Sequence, residues 1–168
     1  MKDKLKAHYL KFGPRPFVIA VVFVLIVTDL LNSFYMKLYW KGKDMSNLIV
    51  RRTAMVNKLS LEDFSPDTLL EMTKFVDKMF MFFLLIVLAN NFFFYFFYLR
   101  KKLWAQGYVL FYALTAALFS VTFIMDNGDL GAGWMIYNIS TIFIYAYIFM
   151  GVKVTKLETT LEDGKKGR

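Results

Sequence analysis

Four long apolar runs, separated by short polar segments, dominate the pattern of this chain. Each run is close to the 20 or so residues that an α-helix needs to cross the hydrocarbon core of a bilayer. The four predicted spans cover residues 17–39, 75–99, 103–125 and 133–152. Charged residues, prolines and glycines lie between them, as is typical of helix ends and turns. The pattern therefore predicts an all-α integral membrane protein with a bundle of four transmembrane helices.

The longest polar segment, residues 40–74, lies between the first and second spans. Its methionine, leucine, isoleucine and valine residues share a broad helical face, which indicates an amphipathic helix. A second helix is predicted to begin at Pro66, because Ser65 suits an N-cap and proline suits the first helical position. No helix breaker follows before Leu99. We therefore expect an extracytoplasmic helical hairpin cap at residues 40–74, next to a second helix that projects from the membrane.

Composition agrees with a membrane protein, since 58% of the residues are hydrophobic and only 20% are charged. The chain contains no cysteine, which excludes disulfides and thiolate metal sites. Its single histidine, His8, lies in a lysine-rich tail and cannot form a histidine metal site alone. We therefore expect neither a metal nor a cofactor.

Basic residues are distributed unequally between the two predicted sides of the membrane. The tails, residues 1–16 and 153–168, and the turn after the second span contain thirteen basic and four acidic residues, whereas the opposite side contains eight of each. Basic residues accumulate on the cytoplasmic side. We expect a multi-pass protein of the cell membrane, with both termini cytoplasmic and near anionic lipid headgroups. Segment 1–16 is predicted to be a basic amphipathic tail, and the net charge of +8 requires no nucleic-acid partner.

Asp29 is the most informative polar residue, because it lies about 18 Å into the first span when counted from Phe17. A carboxylate at that depth costs about 2.5–3.5 kcal/mol and usually faces the bundle interior or a wet cavity. Each of the other three spans has polar residues at a comparable depth. The candidate intramembrane polar layer comprises Asp29, Asn32, Ser33, Asn90, Asn91, Thr115, Asn138 and Thr141.

Two interpretations of this layer remain open. In the first, its hydrogen bonds only specify helix packing, and each contributes about 0.6 kcal/mol. In the second, Asp29 exchanges a proton, and the layer lines a path for protons or cations.

Two further surfaces are candidates for contacts between helices or with other proteins. The third span has a row of small residues that permits close helix packing: Ala113, Ala116, Ala117 and Ser120. The cap has a candidate partner surface of basic and apolar residues: Leu48, Arg51, Arg52 and Val56. Packing of the cap onto the start of the second helix is the alternative role of its apolar face.

The sequence favours a non-enzymatic subunit that assembles with itself or with another membrane protein. The alternative is an oligomeric proton or cation channel, or a transporter component, built around Asp29. A lipid-acting membrane enzyme ranks last, since the chain has no HExxH motif and no glycine-rich phosphate loop. Asp77, Asp126 and Asp129, near the predicted outer interface, are the only carboxylates proposed for such an enzyme, and we assign no catalytic residue.

Overall fold

The computed structural model describes residues 7, 9, 11, 13–126 and 132–166, and this part of the chain is helical apart from short connections. One 3₁₀ turn, Leu61–Asp63, lies between the second and third helices. The α-helices whose bounds the structure describes are α1 (Pro14–Gly42), α2 (Met45–Val56), α3 (Pro66–Leu99), α4 (Leu103–Asp126) and α5 (Ala132–Lys166).

Four of these helices are long and apolar enough to cross a membrane. The apolar helical stretches are Arg15–Gly42, Pro66–Leu99, Leu103–Met125 and Ala132–Val154, with 28, 34, 23 and 23 residues. The four predicted spans are thus confirmed as helices of membrane-spanning length and composition. A multi-pass α-helical membrane protein is the class that this architecture defines.

The first helix begins earlier than the sequence predicted, at Pro14 instead of Phe17. Proline is tolerated in the first turn of a helix because its missing N–H would have no intrahelical partner there. Gly13 precedes the helix with a φ of +72°, and its carbonyl accepts a hydrogen bond from the Phe17 amide over 3.3 Å. The Gly-Pro-Arg-Pro segment therefore starts α1 at Pro14, directly after the positive-φ residue Gly13.

The third helix has the predicted start and length. The Thr68 amide donates a hydrogen bond to Ser65 Oγ over 3.2 Å, which confirms the N-cap. The helix runs for 34 residues without a break. Its charges are confined to its first thirteen residues, and the 21 residues 79–99 contain none. At 1.5 Å per residue, this uncharged part is about 31 Å long, close to the thickness of the hydrocarbon core.

A tight turn joins α3 to α4. The Lys102 amide bonds to the Phe97 carbonyl and the Lys101 amide to the Tyr98 carbonyl, at 3.1 and 2.9 Å. Lys101 has a φ of +56°. This is a Schellman motif, in which the left-handed residue satisfies the last carbonyls of the helix. The predicted turn at residues 100–102 is therefore confirmed.

The chain divides into two compact units. We call Met1–Ile26 with Phe92–Arg168 the terminal unit, and Val27–Asn91 the central unit. The terminal unit contains the apolar core, in which α4 packs along α5. Tyr95 and Tyr98 from the aromatic run at 92–98 belong to this core, whereas Phe93 and Phe96 are exposed.

Candidate functional site

The buried carboxylate of Asp29 meets a carboxamide within the central unit. Asn91 Nδ2 donates a hydrogen bond to Asp29 Oδ2 over 3.0 Å, although the residues are 62 positions apart. Each side chain is only 2% exposed. Two residues of the predicted polar layer, from the first and second spans, are therefore in direct contact.

A second contact fixes the register of α1 on α3. The Trp40 and Phe80 rings stack with centroids 3.8 Å apart and planes 9° apart. Trp40 lies eleven residues after Asp29 on α1, and Phe80 lies eleven residues before Asn91 on α3. The two helices therefore run antiparallel in constant register over about three turns. A buried carboxylate held at such a position can exchange a proton or bind a cation, or it can serve only as a packing contact.

The other predicted polar residues of the central unit have different environments. Asn32 and Ser33, one turn beyond Asp29, are half-buried. Asn90 is exposed although Asn91 beside it is buried, because adjacent residues of a helix point about 100° apart. Asn91 is thus the buried asparagine of α3, and it donates a hydrogen bond to the carboxylate.

The polar residues of the terminal unit are bonded mainly within their own helices. Thr115 Oγ1 donates to carbonyls of the preceding turn, and Asn138 Nδ2 donates to the Trp134 carbonyl over 3.0 Å. Thr141 Oγ1 also bonds within its helix and lies 3.3 Å from Ser120 Oγ on α4. A single layer shared by all four spans stays a prediction.

The predicted small-residue face of α4 belongs to the terminal core. Ala113 is completely buried, and Ser120 is 7% exposed. Ala116 and Ala117 are half-buried and pack against the same core. The pair of Ser120 and Thr141 joins this face to α5. Ser120 therefore combines two roles that the sequence analysis assigned to different residues, close packing and a polar contact between helices.

Asp77 is the centre of a polar cluster that connects three helices of the central unit. Its Oδ1 accepts hydrogen bonds from Trp40 Nε1 over 2.9 Å and from the hydroxyl of Ser46. Ser46 is buried and lies at the start of α2. The carboxylate considered for catalysis therefore acts as an acceptor that holds α1 and α2 on α3.

A third contact continues this docking along α2. Thr73 Oγ1 of α3 donates to Asn47 Oδ1 of α2 over 3.0 Å. An apolar groove of about 470 Å³ lies between the two helices. Its lining includes Ile49, Val50, Leu59, Phe64, Met72 and Phe75. The apolar face of α2 therefore borders an open groove instead of a filled interface.

The predicted partner surface lies on exposed parts of α2. Leu48 is 51% exposed and Val56 is 77% exposed. Arg51 and Arg52 are also exposed. All four residues are available for contact with another molecule.

An unpredicted contact ties the N-terminal segment to α5 in the terminal unit. Tyr9 is 2% exposed, and its hydroxyl donates a hydrogen bond to the Tyr147 carbonyl over 3.0 Å. Gly151 permits this approach, because a Cβ there would lie 2.6 Å from Tyr9 Cε1 and 2.2 Å from Phe17 Cζ. Burial away from water raises the pKa of the Tyr9 hydroxyl from 10.0 to about 12, and the neighbouring Tyr147 makes a smaller contribution in the same direction.

The predictions on His8 and Asp129 lie outside the described residues. Within the part of the chain that the structure describes, no three histidine or acidic side chains are grouped to hold a metal ion. No protein-family model matches the chain, and no curated protein or solved structure matches it significantly.

Proposed function

We propose that this protein is a non-enzymatic accessory subunit that assembles with another membrane protein through its central unit. The observation that carries this proposal is the composition of the buried positions. In the described part of Val27–Asn91, the buried residues are Thr28, Asp29, Ser46, Ala54 and Asn91, and four of these five are polar. Apart from Ala54, the apolar side chains of this unit are half-buried or exposed, so they gain little stabilisation from the fold itself.

Lipid can cover the exposed apolar residues of the uncharged part of α3. The exposed apolar residues around α2 require a different contact, such as another protein. The apolar groove lies beside Leu69, Met72 and Phe75, in the charged first third of α3. Since residues 79–99 already match the hydrocarbon thickness, this third projects beyond it. Apolar patches that face water typically mark protein interfaces.

The chemistry of α2 favours a particular kind of partner. Met55 and Val56, 71% and 77% exposed, supply apolar contact area at the end of the helix. Arg51 and Arg52 add two exposed cations beside that area. Arginine is a preferred donor to carboxylates across interfaces. The complementary surface is a membrane protein segment with apolar side chains flanked by aspartate or glutamate.

Native mass spectrometry of the protein, gently extracted from its own membranes, tests this proposal. We expect a complex that contains one larger membrane protein. Replacing Leu48 and Val56 together by Asn should release this partner, whereas Lys74→Asn, at an exposed polar site of α3, should retain it. Recovery of the wild-type protein only as a monomer would contradict the proposal.

A second candidate function follows from the buried carboxylate of Asp29. An oligomer of this chain could use Asp29 and Asn91 in a path for protons or cations, because carboxylates within membrane spans commonly mark such paths. We rank this function second, since each of these side chains is 2% exposed and an open path requires accessible groups. A homo-oligomer whose proton or cation flux in liposomes is abolished by Asp29→Asn would favour it over the accessory role. Unchanged flux would exclude it.

A further inference from the structure

An apolar groove of about 600 Å³ runs between α1 and α5 within the terminal unit. Its lining includes Pro16, Ala20, Val24, Phe143, Ile144 and Tyr147. The volume lies within the range of sites that bind small ligands, about 300–1,000 Å³. Both walls belong to stretches that are long and apolar enough to span a membrane, Arg15–Gly42 and Ala132–Val154, so a bilayer crossed by these stretches would surround the groove with hydrocarbon.

The floor of this groove is part of the packed core, while its rims are open. Phe17, Val21 and Ile148 line it and are at most 4% exposed. Ala20 is exposed, and Phe143 is 71% exposed. A floor of this kind is pre-formed, because core side chains are held in place by close packing. A flexible chain can therefore occupy the groove without rearrangement of the helices.

Tyr9 stands at one end of the groove, since its ring contacts two lining residues. The ring centroids are 5.5 Å apart for Tyr9 and Phe17, and 4.9 Å apart for Tyr9 and Tyr147. Two exposed cations, Lys11 and Arg15, lie in the segment that connects Tyr9 to the first groove residue, Pro16. The apolar groove thus ends beside positive charge, at the border of the first membrane span.

We propose that this groove binds one acyl chain of an anionic glycerophospholipid, whose phosphate contacts Lys11 and Arg15. The groove supplies the apolar contact, and the cations supply the selectivity for a negative headgroup. Basic residues at a membrane surface attract anionic lipid by about 1 kcal/mol each, which corresponds to roughly a fivefold preference per residue. This site is independent of the proposed assembly role, because it lies wholly within the terminal unit.

Lipid retention measures the site directly. The protein is washed in detergent and exposed to equal amounts of phosphatidylglycerol and phosphatidylcholine. Native mass spectrometry then gives the mass, and hence the identity, of each lipid that stays bound. We expect one retained lipid per chain, predominantly phosphatidylglycerol. Ala20→Trp should abolish retention by filling the groove, whereas Ile19→Trp, at an exposed site of α1 outside the groove, should not. Equal retention by the two variants, or no retained lipid on the wild-type chain, would overturn the proposal.

The headgroup contact has its own matched pair of variants. Replacing Lys11 and Arg15 by Gln should remove the preference for phosphatidylglycerol, while one lipid is still retained. Replacing Lys101 and Lys102 by Gln removes the same charge elsewhere and should preserve the preference. The reverse result would refute the assignment of the cations.

A measurement on the wild-type protein avoids dependence on the folding of any variant. A phosphatidylglycerol with a photoreactive group on its acyl chain should label residues 16–24 and 143–148 above the level of general lipid contact. The exposed face of α3 at Phe82, Phe83 and Leu85 provides that level. Equal labelling of α3 and the groove would indicate unspecific contact and contradict the proposal.

Discussion

The Asn91 carboxamide donates a hydrogen bond to the Asp29 carboxylate over 3.0 Å, at positions that are both almost fully enclosed. This contact resolves how a costly group is accommodated in the first span. A carboxylate with a hydrogen-bond donor avoids part of the penalty of an unsatisfied buried acceptor. The same contact holds α1 in register on α3, whichever role Asp29 has in transport or packing.

A double-mutant cycle on Asp29 and Asn91 should reveal this interaction. We expect Asp29→Ala and Asn91→Ala to be non-additive in the free energy of unfolding, with a coupling of about 0.6–1.7 kcal/mol. Thermal unfolding in a fixed detergent provides the measurement. Asp29→Asn is the control, because an amide oxygen can still accept the hydrogen bond. Additive losses would mean that the bond contributes nothing to stability.

Gly151→Ala should destabilise the protein, because the new Cβ would lie 2.2 Å from Phe17 Cζ and 2.6 Å from Tyr9 Cε1. Overpacking of this kind costs about 1–3 kcal/mol. Gly133→Ala is the matched control, since a Cβ there meets no atom within 4 Å. Unfolding temperatures in detergent should fall for the first variant only. Recovery by an added Phe17→Leu change would identify the clash as the cause, whereas equal behaviour of the two alanine variants would contradict the packing of Tyr9 and Phe17 on α5.

Asp77→Ala should loosen α2, because it removes the acceptor that binds Trp40 Nε1 and Ser46 Oγ. A loss of about 1–2 kcal/mol corresponds to a 5- to 30-fold increase in local opening. Hydrogen exchange of the amides in residues 45–56 measures that opening. Lys78→Ala, at the exposed neighbouring position, should leave exchange unchanged. Unaltered exchange in the Asp77 variant would show that other contacts hold α2.

The Tyr9 contact should weaken at high pH. The pKa of Tyr9 is raised from 10.0 to about 12 by desolvation and by Tyr147. A raised pKa in the folded state means that this stabilisation is complete below pH 10 and is lost as the pH rises toward 12. The unfolding temperature of the wild-type protein should therefore fall more steeply from pH 10 to 12 than that of Tyr9→Phe. Identical slopes would exclude Tyr9 as a contributor.

The predicted orientation can be tested with single cysteines, since the natural chain has none. A cysteine at Glu62, in the segment between α2 and α3, should react with a membrane-impermeant maleimide on intact cells. A cysteine at Lys102, in the turn after α3, should react only after permeabilisation. The reversed pattern would place the basic turn and the tails on the outside and contradict the positive-inside assignment.

Sequence reasoning predicted the helices well because the decisive physics is local. Span length, Ser65 as an N-cap and the turn at residues 100–102 all follow from neighbouring residues. It also indicated that Asp29 requires an enclosed environment, because the cost of exposing a carboxylate to hydrocarbon can be estimated without knowledge of its partner. The sequence could not show that Asn91 is the buried asparagine that bonds to Asp29, because Asn90 and Asn91 are adjacent and differ only in the side of α3 on which they lie.

Apart from the shared polar layer of Asp29 and Asn91, particular contacts between distant residues were not predicted. The cluster of Trp40, Ser46 and Asp77 joins three helices whose relative rotation has no local signature. Tyr9 and Gly151 meet across most of the chain, and a glycine within an apolar span has no pattern that marks a close approach. Nor does periodicity tell whether the apolar face of α2 is covered, because an open groove and a filled interface require the same residues.

The equal eleven-residue spacing on α1 and α3 makes the stacked rings and the buried pair thermodynamically linked. Sliding or rotation that separates Trp40 from Phe80 also pulls Asp29 away from Asn91, because rigid helices carry both contacts. A molecule that prefers the separated rings would therefore weaken the hydrogen bond three turns away, and loss of that hydrogen bond would raise the affinity for the molecule by the same coupling factor. The antiparallel pair of α1 and α3 thus couples the ring stack at one end to the hydrogen bond at the other.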